Sequence, residues 1–196
     1  IKRDGTMEPY ATGMRSPAGL GMLGDKLVYT ENQGDYMGSG GLWFIEKGDF
    51  TGHPAGLAWT GLPNSPLKLT TEEFNKVVDP QKVPNGNGGF EKPENVMDAP
   101  YITMAQAKEK LPDLKLPAVW LPHGIQGISN SEPIVIPEGN FGPFGGAVLV
   151  GDQGQSKIMR LTLEEGKGVM PVPYPNLTLQ AKGGGEIVVV VTALNK

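Results

Sequence analysis

The apolar residues of this chain come in short runs, and glycine or proline closes nearly every run. With 29 Gly and 18 Pro in 196 residues, close to a quarter of the chain is punctuation. So much glycine and proline approaches the level at which disorder becomes a concern. Here it separates runs rich in β-branched and aromatic residues, which is the pattern of a turn-rich β protein. The strand segments are "KLVYTE" (26–31), "LWFIE" (42–46), "AVWLP" (118–122), "EPIVI" (132–136), "GAVLVGD" (146–152) and "KIMRLTLE" (157–164). Alternation in the last places Met159, Leu161 and Leu163 on the core face and Ile158, Arg160 and Thr162 on the other. "EIVVVV" (186–191) is too short to span a bilayer and reads as a buried strand.

Residues 60–118 differ in character. This stretch is proline-rich, carries the "NGNGG" patch at 85–89, and holds two helical patterns. "TTEEFNKVV" is capped by Thr70 or Thr71, with Glu72 and Glu73 at the positive end of its dipole. "TMAQAKEKL" begins after Thr103 and stops before Pro112. Its apolar residues are too few for a core of its own, so it reads as an insertion on a β scaffold.

The net charge of −4 is mild and the basic residues are scattered, which gives no footprint for nucleic acid. With no cysteine, disulfides, thiolate metal sites and cysteine catalysis within this chain are excluded. No Gly-X-Ser-X-Gly elbow is present, and neither "GSGG" nor "KGGGE" has the lysine-serine ending of a phosphate loop. His53 and His123 lie too far apart for a helical zinc pair and read as structural.

One unit recurs. "KLVYTENQGD…LWFIEKG" and "AVLVGDQGQ…KIMRLTLEEG" both run apolar strand, acid, amide, glycine turn, apolar strand. Repetition of a strand–turn–strand unit is what radial β architectures produce. The acids and amides of these loops, Glu31, Gln33, Asp35 and Asp152, have the oxygen chemistry of a hard-cation site. The same residue types also stabilise loops through side-chain-to-backbone bonds.

"ATGMRSPAGLG…LVYTENQGD…LWFIEKGDFTGHP" and "SEPIVIPEGNFGPFGGAVLVGDQGQSKIMRL" together resemble glucose/sorbosone dehydrogenase-type β-propellers over about half of the chain. The resemblance implies a six-bladed propeller, exported to the periplasm or beyond, with pyrroloquinoline quinone and calcium at its centre. About three blades' worth of strands is present, so residues 1–196 are expected to form a partial propeller with an insertion at 60–118. Its partners are then the remaining blades or other subunits, and carbohydrate is a possible ligand. An incomplete ring exposes sheet faces and edges, so the chain is not expected as a free monomer.

Within the resemblance, Arg15 matches the arginine that faces the quinone, and Glu31 matches the acid at the channel mouth. Arg15, Glu31, Gln33 and Gln153 are the candidate cofactor-binding residues, and Glu31, Asp35 and Asp152 the candidate metal ligands. The family's quinone-binding lysine falls on Gly154, and His53 stands where sugar dehydrogenases carry tryptophan. No catalytic residue is assigned. Two functions are therefore expected as alternatives: a quinone-dependent sugar or alcohol dehydrogenase, or a noncatalytic propeller module that binds carbohydrate or a partner protein in an extracellular or envelope assembly.

Overall fold

A computed structural model describes residues 1–32, 40–78, 86–88, 102, 104–121, 123–124, 126–140, 142–166, 179–180 and 186–195. The described chain is mostly β structure with two short α-helices, and it divides into two compact units.

The second unit, residues 16–32, 40–45 and the described part of Pro117–Lys196, holds the sheets. Strands β1 (Pro17–Leu23), β2 (Lys26–Glu31), β3 (Gly40–Phe44) and β4 (Val119–Leu121) form an antiparallel sheet in that order. Strands β5 (Ile134–Val135), β6 (Val148–Asp152), β7 (Lys157–Gly166), β8 (Leu179–Gln180) and β9 (Glu186–Asn195) form the other, in the order β5-β6-β7-β9-β8. All its pairs are antiparallel except β7 with β9. Both expected hairpins are present: Val28 pairs with Phe44 through to Glu31 with Gly41, and Val148 with Leu161 through to Asp152 with Lys157.

Alternation fixes which side chains meet between the sheets. Leu23, Val28, Leu42, Val119 and Leu121 of the first pack with Val148, Val150, Met159 and Leu161 of the second in one core. Met159 and Leu161 point inward as read from the sequence, while Ile158 is exposed. On the opposite face of the first sheet Tyr29 and Trp43 are cross-strand partners, stacked with centroids 5.1 Å apart.

The strand β1 escapes a propensity reading because "PAGLGML" alternates glycine at its inward positions. A Cβ on Gly19 would lie 2.2 Å from the backbone N and Cα of Glu132, so the segment ahead of β5 touches β1 backbone to backbone.

The first unit comprises Ile1–Arg15 and Glu46–Leu116, with five further residues outside the described set. It begins with the Asp4–Gly5 turn, closed by Gly5 N–H to Lys2 O and Lys2 N–H to Thr6 O. A 3₁₀ turn (Pro54–Trp59) and helices α1 (Thr71–Val77) and α2 (Met104–Lys110) follow. Thr70, one of the two caps the sequence offers, caps α1, and it does so in a reciprocal capping box with Glu73; Thr103 lies outside the described residues. Phe50 and Phe74 are fully buried and edge-to-face, and Leu57, Leu69, Met104 and Leu114 of the same unit are buried as well. Phe50 and Leu57 precede residue 60, so the helical stretch buries its apolar side chains around residues from outside the expected insertion.

Candidate functional site

The two repeated hairpins end their first strands in the same device. Glu31, the last residue of β2, is 3% exposed, and its Oε1 accepts the N–H groups of Ser16 (2.7 Å) and Asn32 (3.1 Å). Asp152, the last residue of β6, is 2% exposed. Its Oδ1 accepts from Ser129 N (2.9 Å) and Gly154 N (3.0 Å), and its Oδ2 from Ile128 N (3.1 Å). Each carboxylate thus ties the segment entering the neighbouring strand to its own turn. Such backbone N–H groups need an acceptor once they leave water, and a carboxylate is a strong one.

Between the hairpins lies a buried amide network. Asn130 is fully buried; its N–H donates to Asn32 Oδ1 (2.8 Å) and its Nδ2 to Glu31 O (2.9 Å). Thr30 Oγ1 donates to Ser131 O (2.9 Å), and His123 Nδ1 lies 3.2 Å from Asn32 O. Asn130 Oδ1 is buried with no hydrogen-bond partner among the described residues. Sequence reasoning passed over Asn130, because "SNS" in a loop carries no signal of a partner 99 residues away.

Of the expected site residues, Glu31 and Asp152 lie in the second unit, at the two strand ends. Arg15 is half-buried at the end of a segment of the first unit. Gln153 is exposed in the β6–β7 turn, where its backbone N–H donates to Ser129 O. Gln33 and Asp35 lie outside the described residues. Among the described residues, no group of three or more His, Asp or Glu side chains is placed to hold a metal ion. At Gly154, where the resemblance calls for lysine, a Cβ would sit 2.5 Å from Ile128 Cβ and Cγ2. His53 Nδ1 accepts from Ala55 N and caps the 3₁₀ turn, the structural role expected of it.

The first unit holds a cavity of about 420 Å³ that the sequence reading did not foresee. The extended segment around Tyr10 forms one wall, and the turns carrying Trp59, Leu62 and Pro66 form the other. Trp59 is 63% and Tyr10 46% exposed. Glu8, Thr12, Asn64 and Ser65 are polar residues of its lining; Thr12 Oγ1 is bonded to Gly56 O and Ser65 Oγ to Leu67 O. Glu8 is hydrogen-bonded to Lys47 and paired with Lys2 at 3.0 Å, and these ammonium groups hold its carboxyl down to about 2. The one signal in the sequence was an isolated tryptophan outside any strand pattern.

Comparison with protein-family models, with curated proteins and with solved structures finds no match to this chain.

Proposed function

We propose that this chain is part of a glucose/sorbosone dehydrogenase-like β-propeller that serves as a noncatalytic binding module in an extracellular or envelope assembly. The observation that carries this reading is the fate of Asp152. Three backbone N–H groups converge on its two oxygens. A carboxylate has roughly four lone-pair directions. Donors on three of them place positive hydrogens where a cation would sit. Glu31, in the equivalent place, takes two amides on one oxygen. Gly154 adds to the case, since Ile128 fills the space a lysine would need.

Two sheets sharing one core, each built on a strand–acid–turn–strand hairpin, support the propeller part of the proposal. Leu20 and Met22 on β1, and Ile134 and Val135 on β5, are exposed on edge strands. Neighbouring blades or subunits would cover them. The second reading, quinone-dependent sugar oxidation, draws on Arg15 and Glu31 standing where the resemblance calls for them. Reconstitution separates the two. The protein, loaded with calcium and pyrroloquinoline quinone and supplied with aldoses, is expected to reduce no dye and to show no bound-quinone spectrum. Turnover that depends on the quinone would replace this reading with the oxidoreductase one.

A further inference from the structure

We propose that the cavity between Tyr10 and Trp59 binds a neutral saccharide of one or two pyranose rings, stacked on these two aromatic side chains. The inference rests on the binding-module reading and names its ligand class.

The volume, about 420 Å³, falls within the roughly 300–1,000 Å³ of small-molecule sites. Trp59 and Tyr10 leave much of their surface open, although the core of this unit is built elsewhere, on Phe50 and Phe74. Open aromatic surface beside a cavity calls for a ligand that keeps one side wet. The edge groups then select its chemistry. Glu8 is bonded to both Lys47 and Lys2, so its charge is already compensated and gives an organic cation little attraction. The lysines that compensate it are not among the cavity-lining residues, so an anion gains no direct cationic partner there. A wholly apolar ligand would strip water from these charged groups without replacing the lost bonds. A proline-rich peptide presents carbonyl acceptors and few donors, so it offers little to the remaining lone pairs of Glu8 and to the Asn64 carbonyl. A pyranose fits each requirement. One face is C–H and lies flat on an indole or phenol ring. Its hydroxyls donate to Glu8 and to the Asn64 carbonyl, and accept from the Asn64 amide.

The test uses the full chain and a panel of glucose, galactose, maltose and cellobiose. Trp43 is buried and Trp120 half-buried, so collisional quenching of fluorescence reads mainly Trp59. At least one sugar should protect Trp59 saturably below about 50 mM, and calorimetry without added quinone should give the same affinity. Trp59→Ala should weaken that affinity about tenfold or more, and Trp59→Phe, which keeps a stacking face, should stay within about threefold of wild type. Because Trp59 is exposed, both variants should melt with the wild type. No protection by any sugar of the panel would overturn the inference. So would sugar binding that Trp59→Ala leaves unchanged, although a module that binds sugar elsewhere would then still stand. Quinone-dependent turnover bears on the module reading alone, since the calorimetric binding is measured without quinone.

Discussion

Asp152 and Gln153 are neighbours in one turn, yet their side chains have different work. The Asp152 side chain is the acceptor for three amide groups, whereas Gln153 projects into solvent. Replacing Asp152 by Ala strands those partly buried donors. The expected loss is about 3 kcal/mol, read as a lowered urea midpoint at unchanged slope. Gln153→Ala should stay within about 0.5 kcal/mol. Glu8 makes a different kind of prediction. Its hydrogen bond to Lys47, and then its pairing with Lys2, lower its carboxyl from 4.5 to about 2. A depressed folded-state value stabilises the fold above pH 4.5, and that contribution is lost as pH falls from 4.5 to 2. The carboxyl-carbon NMR titration of Glu8 should have its midpoint near 2, and Lys47→Met should move it toward 4.5. An unshifted midpoint in the wild type would contradict the pairing.

At the scale of elements, the hairpins were legible because their strands combine β-branched and aromatic residues with glycine-bounded turns. The α1 helix was legible from a threonine cap followed by Glu72 and Glu73 at the positive end of its dipole; the capping box between Thr70 and Glu73 is the structure's addition. The β1 strand was not, since Gly19 and Gly21 lower its propensity, and the reason they are there lies in a distant segment. The two glycines should respond differently to a methyl group. At Gly19 the Cβ meets the Glu132 backbone at 2.2 Å, so β1 or the 131–132 segment must move. At Gly21 it meets Glu132 Oε1 at 2.6 Å, the end of an exposed side chain that can swing away. Gly19→Ala should cost about 2–3 kcal/mol and Gly21→Ala less than about 1 kcal/mol, compared by chemical denaturation. The site was legible only in part for a similar reason. Strand-end acids stand out in the repeat, but whether they face a ligand or a backbone depends on Ser16, Ile128 and Ser129, none of which the motif contains. The Trp59 cavity was hidden because its two walls lie some 50 residues apart in the sequence, and no local pattern joins them.

At the scale of the whole molecule, two sheets share one core, and the repeated carboxylates pin the entries to their edge strands. In the proposed propeller, the exposed apolar residues of β1 and β5 mark the edges that further blades would cover. A binding module and a calcium-assisted quinone enzyme part at Asp152 and Glu31, which in the proposed module hold backbone and not a cation. Calorimetric titration of calcium into chelator-treated protein tests this most directly. The expected result is heats no larger than dilution and an unchanged melting temperature at saturating calcium. Saturable binding that raises the melting temperature, and that Asp152→Asn abolishes, would contradict it.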